Sequence, residues 1–280
     1  KINAKPANIP FIILGAGLLW FGWFGFNAGS ALGSNIDAVI AFANTNLASA
    51  TSMVTWIFFD RFMNGKMTAI GACIGAIVGG SAEPEMLAFA ESINAYGNSR
   101  ILGSLKLTDP HTASLINGTA GTVLEMDEGH QFARGHPGMH VLPALLAASE
   151  NTSHSISGKD FLKAFIIGYD IAARIGLATS LNPNMHPHGT WGVVGAAAAL
   201  GALNKLDEAE LSELINIASS LTLATSRKTM VEGGTVRNAY TGAANQMAHL
   251  AYGLLLAGFS GEKDGAVDFK MQSRWRHYWR

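Results

Sequence analysis

The sequence predicts an all-α chain in two parts, two or three transmembrane-type helices followed by a helical domain. Three observations lead there. Two long N-terminal stretches carry no charge, apolar residues from Asp109 onward recur at helical spacing between recognisable caps, and no strand-rich segment or repeat of roughly 20–50 residues occurs. The composition agrees with this division. Only 14% of the 280 residues are charged and the mean hydropathy is +0.22, which is apolar for a soluble protein. Six charged residues lie within positions 1–82, and the other 33 of the total of 39 lie beyond.

The first uncharged run extends from Pro6 to Ile36 and the second from Ala38 to Phe59. Each exceeds the roughly 20 residues that a helix needs to cross a hydrocarbon core. A third apolar run, Met67 to Ala82, is shorter and glycine-rich, which fits a partial span or a buried helix. The first run is too long and too aromatic for a signal peptide. Gly25 and Gly29 form a GxxxG spacing that permits close approach of another helix.

Glu83 to Tyr96 then reads as an amphipathic helix, and Arg100 to Leu107 as a short extended segment. Asp109-Pro110 is a helix start, with Asp as cap and Pro at the first position, and the apolar spacing carries that helix to about Glu125. A polar loop ends at His136-Pro137-Gly138, and an apolar helix resumes over Val141 to Ala148. Ser157 caps a helix to about Thr179. Pro183 breaks the pattern, and Met185 to Thr190 forms a loop that leads into the small-residue helix Gly192 to Leu203. Asp207 starts another helix, and a last one runs from Asn238 to about Gly258.

Chemistry concentrates in the stretch from Asn117 to Glu150, NGTAGTVLEMDEGHQFARGHPGMHVLPALLAASE. It places Glu125, Asp127, Glu128, His130, Arg134, His136 and His140 between two apolar helical segments, where a helix end meets a loop on a rigid scaffold. His186 and His188 lie on a second polar loop, and Lys228 and Arg237 supply cations. Two readings are open on spacing alone. One is an acid/base pair with cationic clamps for a carboxylated substrate. The other is a metal site, since His-x-His with carboxylates ligates zinc or iron. Among the cations Arg237 carries most weight, because it follows Gly233-Gly234 at a helix start, where a buried arginine needs an anionic partner.

The net charge of −1 gives no electrostatic case for nucleic acid as a partner. Cys73 is the only cysteine, which excludes an intrachain disulfide, a CxxC zinc site and a cysteine-held iron–sulfur cluster.

Two family resemblances follow from longer strings. NIPFIILGAGLLWFGWFGFNAGSAL and AFANTNLASATSMVTWIFFDRFMNGKMTAIGACIGAIVG, spanning Asn8 to about Gly79, resemble the ammonium transporter (Amt/Rh) family. The resemblance implies that Trp23 lines a pore, Phe26 matches a gating phenylalanine and Ser30 matches a hydroxyl at an external ammonium site. It also implies membrane association through residues 8–79. The paired pore histidines of that family belong to helices other than these, so conduction by this chain alone is not expected.

NGTAGTVLEMDEGHQFARGHPGMHVLPALLAASE, MHPHGTWGVVGAAAALGAL and EGGTVRNAYTGAANQMAHLAYGLLLAGFSG are similar, in order, to the MmgE/PrpD family of 2-methylcitrate dehydratase and cis-aconitate decarboxylase. The similarity covers about residues 80–269, without the family's smaller lid domain, and residues 270–280 resemble neither family. It implies a helical lyase, needing no metal or cofactor, that acts on a small polycarboxylate, on the cytoplasmic side and as a homo-oligomer. By motif position Glu125, His136 and His186 are catalytic, while Arg237, Lys228 and Arg134 face substrate carboxylates. Glu125 stands where the family often has aspartate and Gly129 where some members have threonine, so both departures bear on the substrate. Three function classes follow: a lyase, a membrane fragment of transporter type, and a joined chain without activity.

Overall fold

The computed structural model describes residues 28–29, 33–36, 38–40, 42–43, 84–93, 95–104, 106–125, 127–152, 155–263 and 265. It divides into two compact units, Lys1–Gly65 and Lys66–Arg280. In the first, the Asn35 side chain accepts the Ala38 N–H at 3.0 Å and opens a short helical turn. Ile36, Val39, Ile40 and Phe42 around it are half or more exposed. Among the described residues no helix is long and apolar enough to cross a membrane. The three apolar runs lie wholly or mostly outside the described residues, as do Trp23, Phe26, Ser30 and the tail at 270–280.

The second unit is helical. Its elements are α1 (Pro84–Ser92), a two-stranded ribbon of β1 (Ser99–Arg100) and β2 (Leu107–Thr108), α2 (Pro110–Val123), α3 (Pro137–Glu150), α4 (Gly158–Ala178), α5 (Gly192–Leu203), α6 (Glu208–Ser220), α7 (Arg227–Val231), a 3-10 turn (Thr235–Asn238) and α8 (Ala239–Leu256). The starts are chemical. Asp109 accepts the N–H groups of His111 and Thr112, Ser157 accepts that of Asp160, and Asp207 with Glu210 forms a reciprocal capping box. The segment expected to be extended over 100–107 instead folds back on itself, pairing Ser99 with Thr108 and Arg100 with Leu107 antiparallel around a turn at Gly103. Asn117 of α2 fixes this ribbon by accepting from Leu102 N and donating to Arg100 O.

The helix α5 runs through the middle of the core. Its sequence, GVVGAAAALGAL, is apolar on every side, and such a helix is stable only when covered all round. It packs on α4, α3, α6 and α8. Contact with α4 is close because Gly168 and Gly195 face each other; a Cβ on Gly168 would lie 2.6 Å from the Gly195 carbonyl oxygen. The second tight crossing joins α2 and α8, where a Cβ on Gly118 would lie 2.8 Å from the Gly242 Cα.

The helix α3 begins at Pro137, four residues before the expected Val141. Proline suits the first helical turn, and the cap is a carboxylate from outside the local sequence, as shown below. Pro143 inside α3 cannot donate to the Met139 carbonyl one turn back. The buried Asn245 of α8 repairs this, donating to Met139 O at 2.9 Å while its Oδ1 accepts from Ala144 N at 2.9 Å. This repair ties α8 to the helix that carries His136 and His140.

Candidate functional site

The loop from α2 to α3 and the loop from α4 to α5 converge at the N-terminal ends of α3 and α5. Leu124 ends α2, and Glu125 follows in the left-handed region at φ 52°, a conformation costing a residue other than glycine about 1–2 kcal/mol. This backbone turn sends the Glu125 side chain to Arg237, whose Nη1 donates to Glu125 Oε1 and, at 3.0 Å, to Asn238 Oδ1. The Arg237 side chain is only 11% exposed and that of Glu125 is 35% exposed. Arg237 Nε is buried and has no hydrogen-bond partner among the described residues.

Asp127 and Glu128 turn inward. The Asp127 carboxylate, 1% exposed, lies 3.0 Å from His136 Nδ1. That nitrogen directs its proton to the Glu128 carbonyl, which leaves both Asp127 oxygens without a hydrogen bond among the described residues. Burial pushes the Asp127 carboxyl up to about 6, with the facing His136 opposing the rise. Glu128 accepts the Gly138 N–H and so caps α3 from ten residues upstream. Even so, burial wins and raises Glu128 to about 8, so at neutral pH it is largely a carboxylic acid.

Four imidazoles pack in one buried group. The ring of His188 meets those of His136, His186 and His140 edge-on, with centroids 4.8, 4.4 and 5.3 Å away. Hydrogen bonds fix their tautomers. The His188 N–H donates to His186 Nδ1 at 3.1 Å, so the neutral His186 ring carries its proton on Nε2. A neutral His136 ring, donating from Nδ1 to the Glu128 carbonyl, has its lone pair on Nε2. His140 is fully committed, donating from Nδ1 to His136 O and accepting the Gly189 N–H at Nε2. Burial lowers His140 to about 4. Burial and then Arg237 lower His186 to about 3, and burial takes His188 well below its ordinary range. All three are therefore neutral near pH 7.

Small residues make room for this group. A Cβ at Gly192 would clash with the Cδ2 edge of the His140 ring, and one at Gly135 would lie 2.7 Å from Trp191 Cζ2. Thr225 holds the 186–188 loop by sharing its one hydroxyl proton between the His186 and His188 carbonyls, at 2.9 and 2.6 Å.

The structure thus brings Glu125, His136, His186 and Arg237 into one region, although His186 and His188 are buried rather than facing a polar loop. Two expected cations stand apart. Arg134 is exposed, and Lys228, with its side chain 78% exposed, pairs with Glu232 one turn along α7. An i,i+4 partner on a short surface helix satisfies that lysine without any ligand. The His-x-His metal reading, left open by spacing alone, finds no set joined to the carboxylates among the described residues, where the His188 N–H occupies His186 Nδ1. Instead Glu125, Asp127 and His136 each offer a ligand atom within 4.8 Å of the others. Sequence reasoning gave Glu128 and His140 no separate role and named His188 only within the His-x-His pair. Only their crowding in two short stretches signalled them.

The fold and this cluster define an all-α domain built round a histidine–carboxylate site. The description of the MmgE/PrpD N-terminal domain matches residues 64–268, and the chain belongs to that family. The Ammonium Transporter Family matches residues 1–93, overlapping the first match over 64–93. An ammonium transporter of Aquifex aeolicus is 50% identical over 74 residues, which is 26% of this chain and 18% of the relative. One from Mycobacterium tuberculosis (strain H37Rv) is 48% identical over 75 residues, covering 27% of this chain and 16% of the relative. One from Bacillus subtilis is 47% identical over 76 residues, covering 27% and 19%. The chain therefore spans less than a fifth of the length of these relatives.

Proposed function

We propose that the MmgE/PrpD part is a lyase that eliminates water from a small polycarboxylate such as 2-methylcitrate, or decarboxylates a relative of it. The observation that carries this reading is the pair of opposite tautomers on either side of His188. His136 offers a lone pair on Nε2 and His186 offers a proton on Nε2, and elimination needs one of each across the bond that breaks. Arg237 orients a substrate carboxylate. His136 takes the proton from carbon, the electron pair forms the double bond, and the hydroxyl leaves as water with the proton from His186. Asp127 stabilises the imidazolium formed on His136, as a buried carboxylate beside a histidine does in hydrolytic triads. Glu125 shares or tunes the proton transfer from its place on Arg237. The reading includes a homo-oligomer acting without a nucleic-acid partner.

The test is loss of 2-methylcitrate, and separately of cis-aconitate, by the purified full-length chain. His136→Ala and His186→Ala should each lower turnover by about 10²- to 10⁴-fold, the usual worth of a general acid or base. Unchanged turnover in either variant removes that residue from the mechanism. No turnover by a folded, helical wild-type chain rejects the lyase and leaves the joined chain without activity.

The transporter-like part supports a second, narrower reading. A half-identical match to transporters, together with the exposed Ile36, Val39, Ile40 and Phe42, supports membrane association through residues 8–79, with the lyase part on the cytoplasmic side. Transport is not part of it.

A further inference from the structure

The lyase reading gives the Asp127 carboxylate a role beside His136 but no hydrogen-bond donor. It is buried, and neither oxygen has a hydrogen-bond partner among the described residues. The nearest donor, His136 Nδ1, points its one proton at the Glu128 carbonyl. Burying a carboxylate without hydrogen bonds is costly, and such a group in a native fold signals a bound ion or water. The surroundings favour a cation. Ligand atoms of Glu125 and His136 lie with that of Asp127 inside 4.8 Å, so three donors converge from the turn after α2 and the start of α3. Glu125 commits one oxygen to Arg237 and has a second to offer. Its side chain and that of His136 are partly exposed, which provides an entry path to the buried Asp127.

We propose that Glu125, Asp127 and His136 form a binding site for a divalent transition-metal ion of the Zn²⁺ and Mn²⁺ class. One imidazole with two carboxylates suits these ions better than Ca²⁺ or Mg²⁺, which take all-oxygen shells, and there is no thiolate to favour softer metals. Coordination through His136 Nδ1 needs the lone pair of that nitrogen, so the single ring proton now directed at Glu128 O passes to Nε2, a change of tautomer without net proton release. The ion therefore removes the lone pair that proton abstraction uses, and loading inhibits turnover. This last consequence rests on the lyase reading; the site itself does not.

The experiment uses the full-length chain stripped with a chelator. Mn²⁺ binding is followed by electron paramagnetic resonance and Zn²⁺ binding by calorimetry. The expected result is one saturable equivalent per chain. Asp127→Asn and His136→Gln should weaken it at least about tenfold, since even outer-shell partners are worth that much. His111→Gln, in the separate pair with His249, should leave it unchanged. Absence of saturable binding to the wild-type chain overturns the proposal, as does wild-type affinity in both site variants with helical circular dichroism retained. Should the variants fail to fold, the wild-type chain decides through Mn²⁺ broadening of its histidine ring resonances. Broadening of His136 ahead of His111 and His249 supports the site, and uniform broadening overturns it. Metal binding without any turnover removes the lyase reading alone, and turnover without metal binding removes the site alone.

Discussion

At the scale of single residues, Arg237 combines a half-exposed carboxylate partner with a nearly buried guanidinium. Replacing it with Gln removes a charge-assisted contact worth about 1.5–3 kcal/mol, so KM for a polycarboxylate should rise roughly ten- to a hundredfold with a smaller change in kcat. Steady-state kinetics on Arg237→Gln checks this, and an unchanged KM removes Arg237 from substrate binding. His249 makes a different prediction. Burial, then the neighbouring His111, lowers it from 6.5 to about 4, while the Ala144 carbonyl and Asp109 pull the other way. A lowered histidine stays neutral in the folded chain while the unfolded chain takes up a proton. Its stability contribution is complete above about pH 6.5 and is lost as pH falls toward 4. The slope is at most about 1.4 kcal/mol per pH unit for this one group. Urea midpoints measured at about pH 5 and pH 7 should converge in His249→Gln relative to the wild type. His249 was legible in the sequence only as one more histidine in a helix, because its burial depends on α3 lying beside α8.

At the scale of elements, most helix limits follow from local chemistry. Asp109-Pro110, Ser157 and Asp207 each open a helix where the sequence places a cap, and α5 keeps the limits expected for it. The start of α3 was missed because its capping carboxylate, Glu128, arrives from ten residues away and no i,i+3 pattern announces it. The same helix carries Pro143, which would weaken it in isolation. Asn245 compensates from α8, and the sequence gives no sign of this, since 106 positions separate Asn245 from Met139. Asn245→Ala leaves the Met139 carbonyl without that donor in a sealed interior and should cost about 1–3 kcal/mol. Chemical denaturation measures this directly. Because α3 also positions His136 and His140, any residual turnover should fall in the same variant, whereas a stability loss near zero would mean that α3 does not depend on α8.

At the scale of the whole molecule, two family matches lie on one chain and overlap over residues 64–93. Two uncharged runs exceed the spanning length, and the proposed membrane association of residues 8–79 can be tested directly. The full-length chain should remain in the membrane pellet after alkaline carbonate washing and should move to the detergent phase on extraction. Release into the carbonate supernatant would mean that these runs do not insert.

The sequence by itself determined the mainly helical character of the chain, the family of its larger part and most helix limits. These depend on charge-free length, on residues three or four positions apart and on ordered motifs, all of which a linear string displays. It also singled out the stretch and the loop that hold Glu125, His136 and His186. Only the tertiary structure decided that Asp127 and Glu128 turn inward while Glu125 turns toward Arg237, and that His188 stands between His136 and His186. It also separated Arg237 from Lys228, two cations nine positions apart, nearly burying the first against the half-exposed Glu125 and leaving the second on a solvated helix. Burial, tautomer and partner are set by which helices touch. For groups fifty to a hundred residues apart, that is fixed by the glycine crossings of α4 with α5 and of α2 with α8, and not by any local pattern.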